Sequence, residues 1–209
     1  AICLQESKLS NNLIEESRTL IKNYTLSGTS NDAHLSQRER LRYKEMKGVS
    51  TLLRNDHQKE QATVRYKKGS TISHTRTVKI KIDDKRELLI INTYLPTRGG
   101  KRGYNNKFEE AIEEIKEVIE QNSTLKTSFL VIGDMNYCPW GHKKDKKRTK
   151  LMQKFVQDTG GKYLVTKKPS HKSRSHSDTW CHLDGAKVSK DMQIEEMRIL
   201  TPSDFPEAT

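Results

Sequence analysis

Apolar residues in this chain come only in short bursts. The longest unbroken runs, 88–91 and 129–132, are four residues each. Runs of this length bounded by polar connectors make buried strands, and they fall far short of the roughly 20 residues that a helix needs to cross a bilayer. The core must therefore be assembled from several short segments in layers. Apolar material is scarce: Leu, Ile, Val and Phe supply 44 of 209 residues, close to the roughly 20% below which a charged chain stays disordered. A single domain of this length buries about 70% of its unfolded surface, whereas two smaller domains would each lack apolar area. One domain over residues 1–209 is expected.

Strands are expected at 2–5, 49–53, 62–66, 76–82, 88–94, 129–132, 183–188 and 197–200. Val78, Ile80 and Ile82 alternate with Lys79 and Lys81, the period of a half-exposed strand. Asp83, Asp84 and Lys85 then read as a hairpin turn leading into 88–94. Phe108, Ile112, Ile115 and Ile119 recur at steps of four, three and four, the spacing of a helix with one face on the core. Gly103 and Asn105 precede this helix, and Asn122 with Ser123 closes it. A second helix is expected over 150–157, stopped by Gly160 and Gly161, and a third among Leu9, Leu13, Ile14, Leu20 and Ile21. Residues 27–32 read as a turn-rich break. Strands, one helix and strands again make an α+β layered sheet fold rather than a strictly alternating one.

The net charge of +12 is concentrated. Residues 141–190 carry 14 Lys/Arg against 4 Asp/Glu, whereas 108–120 carries six Glu and one Lys. A dense basic stretch is the usual footprint of a polyphosphate partner, because Lys and Arg displace its condensed counterions; the alternative is a solvated lysine-rich loop. Candidate contacts to such a partner are Arg98, Lys101 and Arg102, then Lys143, Lys144, Lys146, Lys147 and Arg148, and finally Lys172 and Arg174. Tyr137, Trp140 and Trp180 flank these stretches and could stack on bases, although Trp180 fits a core position equally well. The three cysteines, Cys3, Cys138 and Cys181, are odd in number and suit a reducing compartment. Cys138 with His142, or His176 with Cys181, could hold zinc, but neither spacing matches a standard module.

Three acids stand at or beside the ends of apolar strands: Glu6 after Cys-Leu-Gln, Asp134 in Gly-Asp-Met-Asn, and Asp184 in Leu-Asp-Gly. Strand ends of a sheet are where distant segments converge. One or two carboxylates suffice for Mg2+, which keeps several of its waters, and Mg2+ beside a phosphodiester stabilises charge on the attacking and leaving oxygens.

Together, segments 3–6 (Cys-Leu-Gln-Glu), 92–96 (Asn-Thr-Tyr-Leu-Pro), 133–136 (Gly-Asp-Met-Asn) and 183–184 (Leu-Asp) follow the order and spacing of one family. The chain resembles the endonuclease/exonuclease/phosphatase family. Within it, the chain looks most like the apurinic-type endonuclease domain of non-LTR (LINE-type) retrotransposons, to which segments 1–7 and 48–54 are also similar. The resemblance runs over nearly the whole chain, and Gly-Asp-x-Asn after an apolar strand is its most specific part. It implies a layered α/β-sandwich of two packed mixed or antiparallel sheets flanked by helices. It implies Glu6 as metal ligand, Tyr94 as a hydroxyl donor to the scissile phosphate, and Asp134 beside the attacking water. Asn136 would hold phosphate or metal-bound water, and Asp184 would orient a catalytic histidine. Mg2+ is the implied cofactor, with Mn2+ able to replace it.

Two departures stand out. The family places a catalytic Asn on a strand before the Gln-Glu segment, and only five residues precede Glu6 here. It also ends with Ser-Asp-His, where this chain has Ser203, Asp204 and Phe205. The expectation is a domain fragment lacking both edges. Its implied activity is a nick in double-stranded DNA that leaves a 3′-hydroxyl to prime reverse transcription. A linked reverse transcriptase domain and element RNA would be partners, in the nucleus, with no membrane. An abasic-site repair nuclease and a catalytically inactive nucleic-acid-binding module are the alternatives; Phe205 in place of histidine would support the latter.

Overall fold

The computed structural model describes residues 1–5, 16, 23–28, 49–55, 59–60, 75–96, 104–137, 146–164, 166, 171–172, 180–181 and 184–197. The elements, in chain order, are β1 (Ile2–Gln5), β2 (Tyr24–Gly28), β3 (Val49–Arg54), β4 (Lys59–Glu60), β5 (Thr75–Lys81), β6 (Glu87–Tyr94), α1 (Tyr104–Asn122), β7 (Thr127–Asp134), α2 (Lys146–Thr159), β8 (Lys162–Leu164), β9 (His171–Lys172), β10 (Trp180–Cys181) and β11 (Asp184–Val188). Three strands form one sheet in the order β1-β3-β2, and six form a second in the order β4-β5-β6-β7-β11-β8. β9 and β10 pair as a separate ribbon. Only β6 and β7 run parallel, as the α1 crossover between them requires; the other pairs are antiparallel. This is the expected α/β-sandwich of two packed sheets with helices on the outside.

The four-residue apolar bursts lie at its centre. β6 is flanked by β5 and β7, and Leu89, Ile90 and Ile91 are all buried. Alternation sends Leu89 and Ile91 toward the helices, where they meet Phe108, Ile112, Ile115 and Ile119 of α1 and Met152 and Phe155 of α2. Ile90 points the other way and packs with Leu53 of the smaller sheet and with Val78 and Ile80. Each such side chain contributes about 1.5–3 kcal/mol on leaving water. The apolar stock, small as it is, is spent on both faces of one sheet.

Some boundaries differ from those expected. Ser27 and Gly28 belong to β2 rather than to a break, because β2 pairs with β3 over Tyr24–Gly28 and the sheet supplies the hydrogen bonds that local propensity does not. α2 begins at Lys146, four residues before the expected start, and its lysines hid the helical period. It ends where Gly160 takes φ 65°, the left-handed conformation that closes helices. β8, β9 and β10 are too short to show a period. Apart from Glu16 and Met197, the helix expected over 9–21 and the strands expected at 62–66 and 197–200 lie outside the described residues. Among the described residues, no helix is long and apolar enough to cross a membrane.

Candidate active site

Strand register assembles the candidate site. Tyr94 at the end of β6 lies opposite Asp134 at the end of β7, and Asp184 at the start of β11 lies opposite the same Asp134. Register partners share a face of the sheet. Ile90 and Ile132 belong to the core between the sheets, so Tyr94 and Asp134, four and two residues further on by alternation, face the same side. Three of the four expected catalytic residues thus form one row across three adjacent strands. Asp184 is exposed, Asp134 is partly exposed, and Tyr94 is buried.

Gly133 makes the row compact. It pairs with Thr93 on one side and Gly185 on the other. A Cβ at Gly133 would sit 1.8 Å from the Thr93 carbonyl oxygen, and its φ of 148° is one that L side chains rarely adopt. The glycine of Gly-Asp-x-Asn is therefore a steric requirement for the close approach of β6 and β7.

The turn after β7 is hydrogen-bonded on every side. The Asn136 N–H donates to Asp134 Oδ1 at 2.8 Å. Its side-chain Nδ2 donates to the Leu95 carbonyl at 2.8 Å, and the Leu95 N–H donates to the Asp134 carbonyl at 2.9 Å. Asn136 itself has φ 44°, a left-handed conformation that Asn tolerates better than most residues. The fourth expected catalytic residue thus joins the row and ties the ends of β6 and β7 together. One of its two amide hydrogens is engaged in that structural bond.

A second network, which sequence reasoning missed, joins the sheets behind the row. Asn92, two residues before Tyr94, is fully buried. Its Oδ1 accepts from Gln5 Nε2 at 2.8 Å, and its Nδ2 donates to the Ser50 carbonyl at 2.9 Å and the Leu4 carbonyl at 3.3 Å. The end of β1 is thereby fastened beside the row. A lone asparagine in an otherwise apolar strand was the available signal, since such a residue must find partners.

The basic residues divide. Lys146 and Lys147 lie exposed at the start of α2, and Lys147 makes an open ion pair with Glu109 of α1 at 3.2 Å. Arg148 does not occupy its expected place among the surface DNA contacts. It is 1% exposed and shares the inner face of α2 with Met152 and Phe155. The basic run is helical, and a step of four then three residues turns Arg148 inward. Tyr137, expected as a base-stacking candidate, is also buried and meets Tyr163 edge-on at a centroid distance of 5.8 Å. Lys172 lies in β9, opposite Trp180 of β10. Glu6, Arg98, Lys101, Arg102, Lys143, Lys144, Arg174 and Phe205 lie outside the described residues.

Another buried cation lies on the helix side of the sheet. Lys187 of β11 donates to the Gly160 carbonyl at 2.8 Å and lies 4.1 Å and 5.0 Å from the ring centroids of Phe129 and Phe155. Burial pushes its ammonium down to about 7. It contributes to the +10 of the basic stretch but is turned away from any polymer.

Among the described residues no three His, Cys, Asp or Glu side chains cluster as a metal site. The row does provide two register-paired carboxylates, Asp134 and Asp184, with the carboxamide of Asn136 on the adjoining turn. Hard oxygen donors of this kind suit Mg2+, which needs only one or two carboxylates.

The architecture and the row together correspond to the endonuclease/exonuclease/phosphatase fold, and solved structures of that fold superpose on the chain. The catalytic domain of Xenopus laevis APE2 matches with a TM-score of 0.59 at 16% identity, over 90% of this chain and 73% of that one. A 3′ phosphatase, NExo, from Neisseria, bound to a product DNA hairpin, matches with a TM-score of 0.54 at 13% identity, over 90% and 75% of the two chains. The endonuclease domain of TRAS1, a telomere-specific non-LTR retrotransposon, matches with a TM-score of 0.53 at 15% identity, over 92% and 87%. At these identities the shared property is the fold. No family model matches the sequence, and no curated protein does.

Proposed function

We propose that this chain is a divalent-metal-dependent DNA endonuclease domain. It would hydrolyse one phosphodiester and leave a 3′-hydroxyl, as a non-LTR retrotransposon needs for target-primed reverse transcription. The observation that carries this reading is the register of Tyr94, Asp134 and Asp184 across three adjacent strand ends, with Asn136 bonded to Asp134 beside them. The fold likeness to a retrotransposon endonuclease domain and to a phosphatase bound to DNA supports it, as does the net charge of +12.

The residues divide the work. Asp134 orients the attacking water and withdraws its proton, which asks for a carboxylate within hydrogen-bond reach. Tyr94 directs its hydroxyl at the scissile phosphate, and the second amide hydrogen of Asn136 serves a phosphate oxygen, so that fixed donors meet charge as it develops. Asp184 would orient a histidine that protonates the leaving oxygen, a residue that Phe205 replaces in the 203–205 motif of this chain. Glu6 would hold Mg2+ or Mn2+, which supplies Lewis-acid stabilisation of the phosphoryl oxygens when bound. Exposed lysines such as Lys146 and Lys150 would follow the DNA backbone. A linked reverse transcriptase, element RNA and a nuclear site of action complete the proposal.

Supercoiled plasmid incubated with the protein, with and without Mg2+, tests it. Mg2+-dependent conversion to open circles is expected, and Asp134→Ala should lower its rate by about 10³-fold. Salt-sensitive binding without nicking would leave a nucleic-acid-binding module of the same fold, the reading that Phe205 favours. Nicking that survives Asp134→Ala would overturn the site. Strong preference for an abasic duplex would move the function to repair.

A further inference from the structure

We propose that Arg148 is a positioning residue for the candidate active site, acting through the turn that presents Asp134 and Asn136; this rests on the nuclease reading above. Arg148 Nη1 donates to the Asn136 carbonyl at 2.9 Å. Its guanidinium carbon lies 4.4 Å from the centroid of the Phe108 ring, and Phe108 is fully buried. One side chain therefore links α1, α2 and the turn after β7.

The two sides of Asn136 are held by different groups. Its N–H donates to the Asp134 carboxylate at 2.8 Å, and its carbonyl accepts from Arg148. Between them the backbone lies at φ 44°, a left-handed conformation that Asn tolerates better than most residues but that is held more firmly when its surroundings constrain it. The guanidinium supplies that constraint and so maintains the N–H that aims the Asp134 carboxylate. Taking a guanidinium out of water is costly, and an arginine whose task was to meet phosphates would remain exposed. The flat cation also suits the purpose: stacked on Phe108 it can turn little, so its N–H is fixed in direction.

The test is Arg148→Met in the full chain, with nicking kinetics over a range of salt and amide hydrogen exchange resolved by residue. The expected result is a fall in kcat of about 30-fold, because a small misplacement of a reacting group has effects of this order. KM and the salt dependence of binding should stay within twofold, and exchange at the Asn136 amide should accelerate tenfold or more while β5 and β6 amides are unchanged. A raised KM with a shallower salt dependence would instead make Arg148 a DNA contact and overturn the proposal. Equal acceleration of exchange throughout the sheet would reduce it to core packing, and also overturn it. Should Arg148→Met fail to fold, Arg148→Lys keeps a cation over Phe108 and loses the planar donor. It is expected to lower kcat about threefold with KM unchanged, and wild-type exchange at Asn136 in that variant would overturn the proposal. If the wild type does not nick DNA, the nuclease reading fails, while the exchange pattern at Asn136 still decides whether Arg148 holds the turn.

Discussion

The two ends of the β6–β7 pair handle their acids in opposite ways. Where the pair begins, Glu87 lies opposite Thr127, and its carboxylate meets Lys79 at 2.7 Å and the Thr127 hydroxyl at 2.9 Å. Lys79, then Thr127, hold Glu87 below the usual carboxylate range. In the adjoining hairpin Arg86, then the Lys85 N–H, do the same for Asp83, while Asp84 raises Lys81. Where the pair ends, two carboxylates, Asp134 and Asp184, stand opposite each other with Tyr94 alongside. Acids at the first end face cations and close a hairpin. At the second, like charges are brought together by register, and register-paired like charges detract from sheet stability. The first end is one of ion pairs within a hairpin, and the second is the end to which the proposed chemistry is assigned.

The comparison can be broken at four points. Asp184→Asn should lower nicking by about 10³-fold, or about 4 kcal/mol in the barrier, with the thermal midpoint unchanged or raised; a variant that nicks normally would make Asp184 a turn residue. Gly133→Ala drives a Cβ into the Thr93 carbonyl and should cost about 3 kcal/mol in denaturant unfolding. An alanine variant of native stability would show that β6 and β7 do not need their close approach.

Lys187 lies away from both ends and tests whether a buried charge is penalised where chemistry does not require it. Its ammonium titrates at about 7 in the folded protein against an ordinary 10.5 in the unfolded chain. Below 7 both states hold the proton, so the folded state bears the whole cost of burial. As pH rises toward 10.5 the folded state has released a proton that the unfolded chain retains, and the wild type gains stability. Lys187→Met should therefore be about 2 kcal/mol more stable at pH 6, with a smaller advantage at pH 9. A pH-independent difference in urea midpoints would contradict this. The smallest effect belongs to the first end: Glu87→Gln should cost about 1 kcal/mol or less and leave nicking unchanged. That loss should fade as pH falls through the carboxylate range, where wild-type Glu87 is protonated too.

Much of this was legible in the chain itself. The bursts that became β6 and β7 are self-contained signals, because four apolar residues between polar neighbours have few alternatives to a buried strand. The Phe108, Ile112, Ile115 and Ile119 stripe was equally clear. Asp134, Asn136, Tyr94 and Asp184 were legible as separate motifs. Arg148 was not, since a run of lysines conceals helical phase, and one arginine in six basic residues gives no sign of facing inward. Asn92 and Gln5 were overlooked for a related reason: they are 87 positions apart, and neither has a meaning until the sheets meet. Ser27 and Gly28 were misread as a break because their strand state depends on pairing with β3.

The sequence alone determined the layers, since short apolar segments can be buried only by stacking, and it determined which residue types could serve phosphodiester chemistry. Tertiary structure decided which of them meet. Tyr94, Asp134 and Asp184 share a row only because a glycine without a Cβ lets β6 and β7 close at that register, and a shift of one residue would send each side chain to the opposite face. It also decided the use of charge, turning Arg148 and Lys187 inward onto aromatic rings while Lys146, Lys147 and Lys150 stay exposed. Register and helical phase are properties of packed elements, and no single segment carries them.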